Sequence, residues 1–185
     1  MKILYGLSLV GLSAVAIGCG SSDVASDPQA DVTTETQENV VQPYSAAKSK
    51  YLVTSEPAGA IPVGKARETT KDGEEVTLVG LIGGSSKPFV DGLAAFTIVD
   101  PKVPYCAADE GCPTPWDYCC TQGQVKDNVA TVKIVDEEGR PVLHSARGLL
   151  GVKELSTVVV KGNAKRDQHG NLTVSSHEVF IRPGK

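Results

Sequence analysis

From Glu74 to Ile181 the chain is a succession of Val-rich runs separated by Gly, Asp, Asn and Pro, a punctuation that points to one mainly β domain. Glu74–Ile82 alternates so that Val76, Leu78 and Ile82 share a face, with a bend or bulge expected at Gly80. Leu93–Val99 sets Phe96 and Ile98 together and stops at Asp100-Pro101. Val129–Val135 aligns Ala130, Val132 and Ile134 before the turn residues Asp136 to Gly139. Thr157–Lys161 and Leu172–Ile181 are expected to form a hairpin across the polar segment 162–171. The last run changes parity, from Leu172 and Val174 to Val179 and Ile181, so a bulge is expected between Ser175 and Glu178.

Between the third and fourth runs, Val142, Ala146, Leu149 and Leu150 fall near one helical face, and Gly148 and Gly151 limit that helix to about two turns. Three strands, a short helix and a two-strand hairpin is the order of a five-stranded OB-like Greek-key barrel. A cysteine-rich insertion joins its second and third strands.

The N-terminus bears on compartment. Lys2 precedes an almost uncharged stretch ending at Gly18-Cys19, the layout of a secretory signal. The stretch is interrupted by Gly6, Gly11 and Gly18 and has no basic stop after it, which argues against a retained membrane span. Ala16-Ile17-Gly18-Cys19 resembles the lipobox of bacterial lipoproteins, which implies cleavage before Cys19, lipid on that cysteine and membrane attachment in an extracytoplasmic compartment of the cell envelope. The organisation expected is a signal over 1–18, a disordered tether over 19–64 whose Ser, Asp, Thr, Gln, Glu and Pro cannot support a core, and a barrel over 65–185. The formal net charge of −4 gives no indication of broad attraction to nucleic acid.

With Cys19 set aside, Cys106, Cys112, Cys119 and Cys120 remain, an even number that suits disulfides outside the cytoplasm. Adjacent Cys119 and Cys120 are poorly placed to pair with each other, so Cys106 is expected to bridge to one of them and Cys112 to the other. The rivals are a thiolate metal site and a redox-active pair. Cys-x5-Cys-x6-Cys-Cys lacks the Cys-x2-Cys knuckles of structural zinc modules, so no metal ligand is assigned.

Candidate binding residues are Tyr105, Trp116 and Tyr118 in the insertion, and Lys161, Lys165, Arg166 and His169 around the last hairpin. The stronger expectation for the aromatics is a small core over the cysteines, and a hairpin tip is commonly polar. Gly80 to Lys87 is not a phosphate loop, because Lys87 does not follow the required Gly and Pro88 follows it. His144, His169 and His177 lie in separate elements without a nucleophile motif, so no catalytic residue and no cofactor is assigned.

The runs Glu75–Gly80, Val129–Asp136 and Ser156–Gly162 resemble those of OB-fold domains in small exported bacterial proteins. The segment Cys112-Pro-Thr-Pro-Trp-Asp-Tyr-Cys-Cys120 is similar to cysteine-rich inserts in exported proteins of planctomycete-type bacteria. The resemblance implies an exported OB-like lipoprotein and no particular activity. Haem-carrying OB-folds place a Tyr shortly after a His beyond the final strand, and the ending His177 to Lys185 has none. The expected function is a non-enzymatic, lipid-anchored envelope module that binds a protein or small ligand. The alternative is a thiol redox or metal-handling lipoprotein.

Overall fold

The structure, a computed structural model, describes residues 50–184. The expected signal segment, Cys19 and the expected tether up to residue 49 lie outside the described residues. Among those described, no helix is long and apolar enough to cross a membrane.

The elements in chain order are β1 (Ile61–Pro62), α1 (Val63–Thr69), β2 (Glu75–Ile82), β3 (Ala95–Val99), α2 (Gln122–Val125), β4 (Val129–Ile134), α3 (Ala146–Leu150), β5 (Thr157–Arg166) and β6 (Leu172–Ile181). Five strands close a barrel in the order β2-β3-β4-β6-β5, and β5 returns to β2. The pairings within this ring are antiparallel except for β4 with β6. Two-residue β1 adds to β2 in parallel. The architecture is consistent with an OB-like fold. Closure leaves few unpaired edges, which matters for strands this apolar.

The inward residues follow the alternation of the sequence. Leu78, Ile82, Phe96, Ile98, Val132, Ile134, Val158, Val160, Val174 and Val179 are fully buried in one cluster. Ala146, Leu149 and Leu150 of α3 enter the same cluster, and Gly151, at φ 72°, ends that helix in the left-handed region.

The parity change in β6 resolves as a bulge. Lys161 pairs with Glu178 and Gly162 with Ser176, leaving His177 as the extra residue. Buried Ser176 fills the irregularity, its Oγ lying 2.8 Å from the Lys161 carbonyl and 2.9 Å from that of Glu178. Gly162 is required opposite it, since a Cβ there would lie 2.1 Å from the Ser175 carbonyl oxygen.

Two differences from the sequence reading stand out. Strand β5 continues to Arg166 instead of stopping at Lys161, because its inward positions beyond Lys161 are the small residues Gly162 and Ala164. Ala164 pairs with Val174. The folded part also begins before Lys65. Leu52 bridges to Val179, the Val53 N–H donates to the Val179 carbonyl at 3.0 Å, and Val63 and Ala66 of α1 are fully buried. Arg182 forms a two-pronged pair with Glu56, with contacts of 2.9 and 2.6 Å. Within 50–64 the apolar residues Tyr51, Leu52, Ile61 and Val63 reach the barrel core.

Candidate functional site

Residues 100–128 leave β3 at Asp100 and return at β4. Buried Asp100 opens the segment: its carboxylate accepts the Gly64 N–H at 2.7 Å and the Lys102 N–H at 2.9 Å. Short 3-10 turns at 108–110, 115–117 and 119–121 then fold the segment back on itself. Cys112 follows two residues after the first turn, and Cys119 and Cys120 open the third.

Tyr118 organises the turn that matters most. Its φ of 58° is left-handed, a conformation that costs a bulky residue of order 1–3 kcal/mol unless its surroundings hold it. The surroundings do so: the ring is fully buried with Val99, Val103 and Val125, and Val129 packs against them. This second cluster includes residues from both β3 and β4, so the loop is fastened to the barrel wall. Gly83 has no room for a side chain, because a Cβ would lie 2.6 Å from the Trp116 carbonyl oxygen and 2.9 Å from the Tyr118 ring. The Gly84 N–H donates to that same carbonyl at 2.8 Å, and Trp116 Nε1 donates to the Ser86 carbonyl at 3.3 Å. Asp117 accepts the Cys119 N–H at 2.8 Å and the Thr114 hydroxyl at 2.7 Å.

These constraints bring four sulfurs to one point. The Sγ separations are 2.8 Å for Cys112–Cys119, 3.3 Å for Cys106–Cys119, 3.6 Å for Cys106–Cys120 and 3.7 Å for Cys119–Cys120. All four sulfurs lie within 4.8 Å of one another. The expected disulfides are absent: all four are free thiols. No exclusive pairing exists, since Cys119 approaches three partners and Cys106 sits almost equally near Cys119 and Cys120.

The adjacent cysteines are turned to the same side by the 3-10 turn following left-handed Tyr118. Their separation suits two vertices of one coordination tetrahedron. With Zn–S near 2.3 Å, a tetrahedral edge is about 3.8 Å.

The thiols differ in acidity. Cys106 is brought down to about 7, first because the Cys120 N–H donates to its sulfur and then because Cys112 and Cys119 donate to it. Donation to Cys119 and Cys106 pushes the Cys112 thiol well up, and donation to Cys106 and Cys119 pushes Cys120 up to about 12. The cluster therefore favours one thiolate held by neighbouring thiols, and a cation is what would let the others ionise alongside it.

The remaining candidate residues separate. Tyr118 is core, with its phenol raised to about 12 by burial and by Tyr105, whose ring meets it edge-on at 6.4 Å. Tyr105 is 46% exposed and Trp116 partly buried beside the Gly83 to Ser86 turn. The basic residues do not form one patch. Lys161 pairs with Glu75 at 3.5 Å. Arg166 caps the C-terminus of α1, donating to the carbonyls of Thr70 at 2.8 Å, Ala66 at 3.2 Å and Arg67. The exposed tip residue His169 has its N–H bound to the Asp167 carboxylate at 2.9 Å. Lys165 lines a groove of about 890 Å³ with Tyr51, Asp72, Asn163, His177 and Glu178. Nothing from the cysteine loop lines that groove.

No family model matches the chain, and no curated protein matches it. The site therefore rests on its own geometry.

Proposed function

We propose that this protein is a lipid-anchored envelope module in which an OB-like barrel displays a loop that binds a thiophilic metal ion through Cys106, Cys112, Cys119 and Cys120. The observation that carries the reading is the convergence of four unbridged sulfurs within 4.8 Å. Thiolates select Zn²⁺, Cu⁺ and iron–sulfur centres over harder cations. The lipobox at Cys19 supports the anchor, and the cysteine-rich segment's likeness to inserts of exported planctomycete-type proteins supports the compartment. Tyr105, exposed on the loop, and Trp116, against the Gly83 to Ser86 turn, are the residues through which a protein or small-ligand partner is recognised.

Metal analysis of the purified protein, combined with a count of alkylatable thiols before and after chelation, tests the reading. Bound metal with thiols protected until chelation is the expected result. Four freely reactive thiols, or two disulfides with no metal, would overturn it. The anchor is tested separately by mass spectrometry of the N-terminus and by Cys19→Ala, which is expected to release the protein from the membrane while the barrel still folds.

A second reading, a dithiol redox protein, is favoured by the acidity of Cys106, since a thiol near 7 is substantially thiolate at neutral pH and nucleophilic. It predicts that Cys106 is alkylated faster than an ordinary thiol in metal-free protein and that a defined disulfide forms and breaks reversibly.

A further inference from the structure

Resting on the metal-binding reading, we infer that the loop holds a single divalent ion in a closed, four-thiolate tetrahedral centre, a zinc-type structural site. Three observations lead there. First, every pair of sulfurs lies within 4.8 Å, and four of the six separations, 2.8 to 3.7 Å, lie at or below one edge of a zinc tetrahedron. An iron–sulfur cluster shares its cysteines among several irons, so thiolates on different irons stand further apart than one tetrahedral edge. The compactness here fits one ion. Second, four ligands converge where Cu⁺ is satisfied by fewer thiolates, and a four-sulfur tetrahedron is the arrangement that selects zinc. Third, the ligands come from separate pieces of backbone: Cys106 after Pro104-Tyr105, Cys112 after the left-handed Gly111, and Cys119 with Cys120 in the turn fixed by Tyr118 and Asp117.

A closed centre leaves no position for a substrate or activated water, which assigns the ion to structure and not to catalysis. Its work is on the loop. Of the described side chains over 101–128, only Val103, Cys106, Tyr118 and Val125 are buried. That is too little apolar burial to order a segment of this length, and the ion supplies the missing cross-link, joining the start of the loop to the turn that carries Trp116 and Tyr118.

The test uses the full-length chain, purified under reducing conditions, and titrates it with Zn²⁺ and with Co²⁺ as its visible stand-in. One equivalent per chain is expected, with the intense visible and sulfur-to-metal charge-transfer absorption of tetrahedral four-thiolate Co²⁺, and with Cys106, Cys112, Cys119 and Cys120 protected from alkylation. Each of Cys106→Ser, Cys112→Ser, Cys119→Ser and Cys120→Ser is expected to weaken binding at least about tenfold and to change the Co²⁺ spectrum, since a ligand counts for at least as much as its supporting shell. Far-UV circular dichroism of each variant separates ligand loss from loss of the barrel, and the wild-type Co²⁺ spectrum reports the ligand set even if a variant fails to fold. Binding of Cu⁺ with two thiols still alkylatable, or several irons with inorganic sulfide per chain, would overturn this inference while leaving metal binding intact. Absence of binding by any of these metals would overturn both.

Discussion

The barrel wall and the cysteine loop are neighbours held by different physics. The barrel is built from long strand pairings, seven residue pairs between β2 and β5 alone, closed around a core in which aliphatic side chains are fully buried. The loop has three short 3-10 turns, a four-residue helix and a handful of buried side chains. The barrel gains stability by removing apolar area from water over many residues, whereas the loop concentrates its organisation in four sulfurs and one aromatic ring. A single change can therefore erase the loop's order, while the barrel loses stability in increments.

The largest effect expected from one substitution lies in the barrel. Phe96 is fully buried among the core residues and its ring lies 6.1 Å from that of Phe89. Phe96→Ala is expected to cost about 3–5 kcal/mol, as large-to-small changes at buried aromatic sites do. Chemical denaturation should show one cooperative transition moved to lower denaturant, with the Trp116 signal and the far-UV signal falling together. A Trp116 transition at higher denaturant than the far-UV one would mean that the loop survives without the barrel and would break the comparison.

Metal removal is the complementary experiment. In an excess of about 100-fold over Kd, an ion that binds only the ordered loop stabilises that state by about 2.7 kcal/mol. Chelation should withdraw that contribution from residues 104–124, seen as a shifted Trp116 emission and as new proteolytic cuts within the loop. The far-UV signature of the strands should persist. Cooperative unfolding of the whole domain on chelation would show that the second cluster, Val99, Val103, Tyr118 and Val125, is integral to the barrel and not an attachment to it.

The same contrast decides what could be read from the sequence. The strands were legible because alternation with period two places Val76, Leu78 and Ile82, or Phe96 and Ile98, on one face, and the bulge at His177 was legible because the apolar parity changes along β6. The continuation of β5 was not, since Gly162 and Ala164 give no hydrophobic signal although both point inward. Helix α1 was missed as well, having only seven residues and two buried anchors that carry side chains, Val63 and Ala66. Pro62 immediately before its first residue was the available hint. In the loop, cysteine spacing suggested disulfides because it records separation along the chain, while the convergence depends on the left-handed backbone of Tyr118. A tyrosine gives no warning of positive φ.

Arg166 provides a smaller test, at the junction between α1 and the hairpin. Its guanidinium donates to the Arg67 and Thr70 carbonyls at the end of α1, which the helix leaves open, and to the Ala66 carbonyl, which also accepts the Thr70 N–H. Arg166→Ala is expected to cost about 1.5–2 kcal/mol, at the low end of the range for hydrogen bonds made by charged groups. A ligand-binding role would instead leave stability unchanged. Thermal denaturation of the variant distinguishes the two, and Lys165→Ala, altering an exposed neighbour in the groove, should stay within about 0.5 kcal/mol of the parent.

The smallest expected effect is the most diagnostic of how the two regions join. Tyr118 fills the second cluster with its ring, yet its hydroxyl is buried without a hydrogen-bond partner in the protein. Burial of an unpaired hydroxyl is unfavourable, so the residue's worth to the loop lies in its ring and backbone. Tyr118→Phe keeps the ring, its packing beside Gly83 and the left-handed turn that presents Cys119 and Cys120, and removes only the unpaired group. It is expected to leave stability unchanged or raised by about 1 kcal/mol or less, with Co²⁺ binding and its spectrum intact. Tyr118→Ala, which empties the cluster, should instead loosen the turn and weaken metal binding even though no ligand is altered. If Tyr118→Phe weakens metal binding as much as Tyr118→Ala does, the hydroxyl participates in the centre and the loop is ordered by more than sulfur and packing.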